Sequence, residues 1–182
     1  MIFHDTELND ARLIELQPFG DDRGVFARTF CQREFANAGL PTDFVQQNMS
    51  SSTTKGTIRG LHFQRPPHGE AKLIRCVNGV ILDVIVDLRA GSSTYLRHAS
   101  FELSSENRRQ LLIPAGFAHG FQTLTDNVEV SYLVSAFYTP SAEGGLRWND
   151  PMLAIEWPLE ATVMSAKDAN WPLLDRDNPL RL

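Results

Sequence analysis

Between residues 57 and 138 one pattern recurs: a short run of alternating apolar and polar residues, a turn signal, then another such run. "TIRGLHFQ" gives way to "RPP", "AKLIRCV" to "NG", "YLRHASFEL" to "SSENR", and "RQLLIPAGFAHGFQTL" to "TDN" before "VEVSYLVSAFY". Alternation of period two marks a strand with two unlike faces. Strands this short cannot bury a face alone, and so many in succession must stack as a sandwich or close as a barrel. The chain is therefore expected to be all-β. Asn78-Gly79, between "AKLIRCV" and "VILDVIVDL", predicts a tight hairpin, because both residues accept the positive φ that such a turn requires.

The flanks read differently. "IFHDTELNDARLIELQPFGDDRGVFARTF" predicts two strands joined through the turn "FGDDRG". "CQREFANAGL" predicts a short helix with Cys31, Phe35 and Ala38 toward one face and Gly39 as its stop. Near the C-terminus, "RWNDPMLAIEWP" is extended and bounded by proline, and "MSAKDANWPLLDRDNP" reads as a helical turn followed by coil. The expected organisation is a single domain over 1–182, with N-terminal strands and a helix in 1–45 and a C-terminal cover in 145–182.

An apolar share of 42% is enough for one core. The net charge of −5 argues against nucleic-acid binding, which needs a basic field, yet leaves room for an anionic small ligand held by a few local Arg and Lys. No apolar run is long enough to cross a bilayer and no secretory leader is visible, so a soluble, cytoplasmic protein with no membrane partner is expected. Cys31 and Cys76 have neither disulfide-framework nor metal-ligand spacing and read as reduced thiols.

Strand parity puts four hydrogen-bonding or ionisable groups on faces that otherwise look interior. Tyr132 shares a face with Val128, Val130, Val134 and Ala136; Lys72 with Ile74 and Cys76; His119 with Phe121 and Thr123; His62 with Ile58 and Gly60. Burying any one of them without a partner costs roughly 1–3 kcal/mol. Singly, each would read as a satisfied core residue. Together they are best explained by a wet pocket shared by four strands. A histidine is a natural general base near neutral pH, and a phenol on another strand can supply a proton from a different direction. A lysine and a second histidine can stabilise an oxyanion. That set suits proton abstraction beside a carbonyl and return on the other face, which is epimerisation through an enolate.

The segments "IRGLHFQ", "KLIRCVNGVILDVIVDLR", "LIPAGFAHGFQTL", "FYTPSAEGGLRWNDP" and "SAKD" resemble, in order, the motifs of the dTDP-4-dehydrorhamnose 3,5-epimerase family, over a span from Phe19 to Asp168. The resemblance implies a cupin-type β-jelly roll with short peripheral helices, usually a homodimer that exchanges N-terminal strands. It implies inversion at C3, C5 or both of a nucleotide-diphosphate 4-keto-6-deoxysugar, on the way to L-rhamnose or a related deoxysugar, with no cofactor and no metal. By the same resemblance His62 is the catalytic base, Asp168 the carboxylate that orients it, Tyr132 the acid, and Lys72 and His119 the groups beside the 4-oxo oxygen. Arg59 matches an arginine that contacts phosphate and sugar. Phe19, Arg23, Gln47, Asn48, Tyr138, Glu143 and Lys167 fall at or near ligand-contacting positions.

One position departs from the family. Its turn motif reads D-x-R-G-x-F-x-E, and "DDRGVFARTF" places Arg28 where the glutamate meets the nucleotide. An arginine there would suit the lone pair of a cytosine edge better than the N–H of thymine, unless it turns to the diphosphate or to solvent. A CDP-linked substrate is the alternative this raises. Two rivals from other classes stand beside the enzyme reading. A metal-dependent cupin would use H-x-H, a glutamate and a later histidine, for which the chain offers His62, His68, Glu70 and His119. Gln64, however, stands where the second histidine of H-x-H belongs, and Lys72 would repel a cation. A sugar-nucleotide-binding protein without turnover is disfavoured because every catalytic match is present.

Overall fold

The computed structural model describes residues 1–182 except 176 and 179. Those two positions, part of the C-terminal cover expected over 145–182, lie outside the described residues. In chain order the elements are β1 (Ile2–Asp5), β2 (Arg12–Glu15), β3 (Phe19–Asp21), β4 (Gly24–Phe26), α1 (Gln32–Asn37), β5 (Gln46–Ser52), β6 (Ile58–Gln64), β7 (Lys72–Asn78), β8 (Val80–Asp87), β9 (His98–Ser104), β10 (Gln110–Ile113), β11 (Phe117–Thr123), β12 (Val128–Val134), β13 (Glu143–Gly145) and α2 (Ala166–Ala169).

The alternating runs build two antiparallel sheets. One runs β1-β2-β10-β7-β12-β5 and the other β13-β6-β11-β8-β9. They pack face to face: Ile74, Cys76, Leu111, Val128 and Val130 of the first meet Ile81, Ile85, Leu103, Phe117 and Phe121 of the second. This is a cupin-type β-jelly roll.

Each sheet is covered on its outer side as well. α1 buries one residue completely, Phe35, and sets it against Ile14, Leu73 and Leu112 of the first sheet. Phe3, Phe30 and Phe44 meet its ring edge-on. Full burial of a ring of that size contributes roughly 1.5–3 kcal/mol. Ala38 is exposed, so the inward stripe of the helix is narrower than expected, and Gly39 leaves it at φ 69°. On the other side, Leu153, Ile155, Trp157 and Leu174 lie over Leu61, Phe63, Val84 and Val86 of the second sheet. A strand buried on both faces has no polar side to show, which is why "VILDVIVDL" is apolar almost throughout.

Asn78-Gly79 is not the turn of a hairpin. β7 pairs with β10 and β12, while β8 pairs with β11 and β9, so the chain steps from one sheet to the other at Gly79. Both flanking strands fill their ladders on two edges this way, and that outweighs a local turn preference. The corner still needs its glycine: φ is 79°, and a Cβ would lie 2.6 Å from Thr125 Oγ1. The N-terminal segment forms two hairpins where one strand pair was expected. β1–β2 extends the edge of the first sheet, and β3–β4 closes around "FGDDRG" as a separate ribbon. The extra turn arises at "TELNDA", where the Thr6 hydroxyl donates to Leu8 O and accepts from Leu8 N–H.

A bulge in β6 decides which side chains enter the sandwich. β11 pairs His119 with His62 and Phe121 with Arg59, so three steps along β6 oppose two along β11. Strict alternation would group His62 with Ile58 and Gly60. The bulge groups it with Arg59 instead, whose Nε donates to Ser52 Oγ of β5 at 2.9 Å, across the sandwich. Ile58 pairs with Gln122, whose amide reaches Leu159 in the cover, so both lie on the outer face. Gly60, at φ 113°, occupies the bulge, and a Cβ there would fall 2.6 Å from Gly120 Cα. Gly60→Ala is expected to lower stability by about 3 kcal/mol in a urea titration, from overpacking and backbone strain together. An unmoved midpoint would refute the close approach of β6 and β11.

Candidate active site

At one end the sandwich opens into a cavity of about 340 Å³. The first sheet contributes Gln46 and Asn48 from β5, Lys72 from β7, and Tyr132 and Val134 from β12. The pairing explains the grouping: Tyr132 stands opposite Asn48 and Ile74, and Val134 opposite Gln46 and Lys72. The second sheet contributes His62 and Gln64 from β6 and Glu143 from β13, and the adjoining loops add Glu70 and Tyr138. A larger recess of about 650 Å³ beside Arg65 and Leu174 is lined, among the described residues, by no histidine, lysine or tyrosine.

His62 Nε2 lies 2.6 Å from Asp168 Oδ1. The second carboxylate oxygen accepts from the Gly60 N–H at 3.3 Å, so the bulge residue also holds the aspartate. The sequence builds this position locally. Ser165 is the N-cap of α2, and its hydroxyl accepts from the Asp168 N–H at 3.0 Å, which turns the helix onto β6. Asp168 is buried, and burial pushes its pKa up. The hydrogen bond and charge of His62, with the Gly60 N–H and Ser165, outweigh that and hold it below the ordinary carboxylate range. An ionised Asp168 can orient the imidazole and stabilise its protonated form.

Tyr132 has the opposite character. Burial raises its phenol pKa, the nearby Glu70 charge raises it further, and Arg59 only partly opposes them. The phenol therefore keeps its proton through the neutral range and is available as an acid. Lys72 Nζ sits 3.2 Å from Glu70 Oε1, with both side chains about nine-tenths buried. His119 is the register partner of His62 but is not part of the cavity wall. Its Nε2 bonds Asp83 Oδ2 at 2.9 Å, and the other oxygen of that fully buried aspartate has no hydrogen-bond partner among the described residues. At the rim, the Tyr138 hydroxyl donates to Glu143 Oε2 at 2.9 Å and Lys167 pairs with the same carboxylate. Burial raises the pKa of Glu143, but Lys167 and Tyr138 bring it below the usual value.

Other expected site residues do not reach this cavity within the chain. Phe19 and Arg23 lie on the β3–β4 ribbon beside a separate recess, and Arg23 pairs with Asp21. Arg28 donates to Glu34 Oε1 of α1 at 2.6 Å, so its charge is met on its own chain. Gln47 points away from the cavity and donates to Ser131 Oγ at 3.2 Å. Gln46, one residue earlier, has the inward parity of Asn48 and occupies the wall. Strand alternation alone, counted from Asn48, would have chosen it. Gln64 and Glu70 entered the sequence reading only as metal-ligand positions, yet both line the cavity. Gln64 is fully occupied: its Nε2 donates to His68 O, Glu70 Oε2 and Phe137 O, and its Oε1 accepts from Thr139 N–H. Among the described residues no three His, Cys, Asp or Glu side chains gather as a metal-ligand group.

Comparison with known proteins decides the family. A family model described as dTDP-4-dehydrorhamnose 3,5-epimerase matches residues 5–176. The chain belongs to the dTDP-4-dehydrorhamnose 3,5-epimerase family. The epimerase of that name from Shigella flexneri is 46% identical over 166 residues, 91% of each chain. The crystal structure of the Bacillus anthracis dTDP-4-dehydrorhamnose 3,5-epimerase, with TDP and PPi bound, superposes with a TM-score of 0.93 at 45% identity, covering 95% of this chain and 99% of that one. A dTDP-4-dehydrorhamnose 3-epimerase from Streptomyces niveus is 40% identical over 155 residues, 85% of this chain and 74% of its own. Thus members named for one inverted carbon and for two share this level of similarity.

The ionisation of Asp168 has a pH signature. Its pKa is depressed in the folded state, so its contribution to stability is complete above the ordinary carboxylate range and is lost as pH falls through the folded value. Asp168→Asn should be less stable than the wild type at neutral pH, and the gap should close on acidification, read by thermal unfolding at stepwise lower pH. A gap independent of pH would contradict the ionised pair.

Proposed function

We propose that this protein inverts one or both of the carbons flanking the 4-keto group of a nucleotide-diphosphate 6-deoxyhexose, with a dTDP-linked sugar as the first choice. The observation that carries the reading is the opposition of two proton carriers: an imidazole braced by an ionised carboxylate and a protonated phenol enter one cavity from different sheets. In the proposed reaction His62 removes the proton from C5 or C3, leaving an imidazolium and an enolate. Lys72 faces the negative oxygen, and His119, held by Asp83, stands beside His62 on the neighbouring strand. Tyr132 then gives its proton to the opposite face of the same carbon, and the centre is inverted. The phenolate and imidazolium return to their starting states by exchange with water.

Arg59, on the same face of β6 as His62, is suited to the diphosphate, because its side chain is exposed and is held by Ser52 and the Ser51 carbonyl. Asn48, Tyr138 and Glu143 line the cavity, with Lys167 paired to Glu143, and sugar and nucleotide would rest there. Binding energy from that non-reacting end would hold the ring still at His62. The relatives named for dTDP-linked sugars favour a dTDP-linked over a CDP-linked substrate. A second copy of the chain is part of the proposal. The β3–β4 ribbon exposes Phe19 to 76%, Phe26 to 72% and Val25 to 56%. Isolated ribbons that expose this much aromatic surface need a partner. A homodimer that exchanges this ribbon would carry Phe19 and Arg23 to the neighbour's cavity.

Incubation with dTDP-4-keto-6-deoxyglucose in D₂O, followed by NMR, should show deuterium at C3, C5 or both; deuterium at C3 alone would make this chain a 3-epimerase. His62→Ala should slow exchange by about 10²–10⁴-fold, the usual share of a general base. Tyr132→Phe should still exchange a substrate proton yet fail to invert the centre. Wild-type rates in both variants would remove these roles. For the dimer, Phe26→Ser should move sedimentation toward a monomer, and an unchanged association constant would exclude the ribbon as the contact.

A further inference from the structure

The epimerase mechanism leaves Glu70 without a task. Its carboxylate lines the cavity that holds His62, Lys72 and Tyr132, yet a fixed anion beside a developing enolate opposes the reaction on charge alone. Its placement is nonetheless built. One oxygen lies 3.2 Å from Lys72 Nζ and the other accepts from Gln64 Nε2 at 3.1 Å. Gln64 is itself held by two backbone carbonyls and by the Thr139 N–H, so the carboxylate is anchored to the frame of the sandwich. An ammonium has three donors. The ion pair with Glu70 fixes where that ammonium sits along the wall.

We propose that Glu70 is a positioning residue of this site: anchored by Gln64, it holds the Lys72 ammonium at the cavity wall, where the substrate's 4-oxo oxygen must lie, with its own charge in the same cavity as the Tyr132 phenol. This rests on the epimerase reading for its chemistry, and on geometry for its placement. The charges around Tyr132 come from every neighbouring strand. β6 brings Arg59 and His62, β7 and its lead-in bring Lys72 and Glu70, and the segment after β12 brings Tyr138 and Glu143, while β5 brings only the amides of Gln46 and Asn48. Glu143 is matched by Lys167 and Tyr138, and Asp168, behind, is matched by His62. Glu70 is the anion whose field raises the phenol, with burial the larger influence.

The test uses full-length protein with its tyrosines labelled at the ring carbon bearing the hydroxyl. The chain has three tyrosines, so the signal of Tyr132 can be assigned by its loss in Tyr132→Phe. Glu70→Gln keeps the length of the side chain and an oxygen for Gln64. It should lower the titration midpoint of Tyr132, the direction set by removing a neighbouring negative charge. Glu70→Asp keeps the charge and should leave that midpoint near the wild-type value. In the deuterium-exchange assay Glu70→Gln should lower kcat about tenfold with KM within about twofold, as expected when a stabilising donor is misplaced rather than lost from binding. An unmoved phenol midpoint in Glu70→Gln overturns the proposal whatever the enzyme turns over. A moved midpoint in a protein whose wild type exchanges no deuterium would reject the reaction and still support the placement of Glu70.

Discussion

The contact between His62 and Asp168 joins parts of the chain that are otherwise independent. His62 belongs to β6 and faces inward because of a bulge; Asp168 belongs to a short helix in the C-terminal segment, 106 residues away. The aspartate is buried, and burial opposes its charge. It stays ionised because an imidazole and a backbone N–H meet its two oxygens, which is the condition under which a buried carboxylate can persist. The pair thus anchors the C-terminal cover to the sheet edge and sets the ionisation of the site in one interaction.

The remaining polar groups follow the same condition. Lys72 is taken from water with Glu70, His119 with Asp83, and Glu143 with Lys167 and Tyr138. Among the described residues Tyr132 is the member left without a hydrogen-bonding partner, and its proton is retained by burial and by the charge of Glu70. Two sheets that face each other therefore present unlike proton carriers to one space: a braced imidazole from one side and a protonated phenol from the other. Inversion of a carbon needs that opposition, because the two faces of a planar enolate cannot be reached from a single strand.

The N-terminal region follows a different logic. α1 closes the outer face of the first sheet with a cluster of phenylalanines, whereas the β3–β4 ribbon just before it exposes its aromatics. Arg28 lies between the two and is held to α1 through Glu34, which also receives the N-terminal amine at 2.9 Å. The exchange of a glutamate for an arginine at this position, measured against the family's turn motif, is thereby compensated within the chain.

Much of the fold could be read from the chain. Period-two alternation marked β6 to β12, and parity along β7 and β12 put Lys72 and Tyr132 on the inner face, because side-chain direction in a regular strand depends on counting alone. The helical turn read within "MSAKDANWPLLDRDNP" is α2, and the structure shows Ser165 capping it. Elsewhere counting failed. His62 shares its face with Arg59, and not with Ile58, because of one extra residue in β6 that only the partner strand reveals. Gly79 turns the chain between sheets, and not within one, because the ladders formed by β7 and β8 are long-range. Glu70 became part of the site through Gln64 and Lys72, contacts that no spacing encodes. The sequence by itself determined the layered all-β architecture and the chemical types at the cavity, since propensity and alternation are properties of neighbours in the chain. Which of those groups meet, and so which hold or release a proton, was decided by tertiary structure, since register, burial and the pairing of charges depend on residues far apart in the chain.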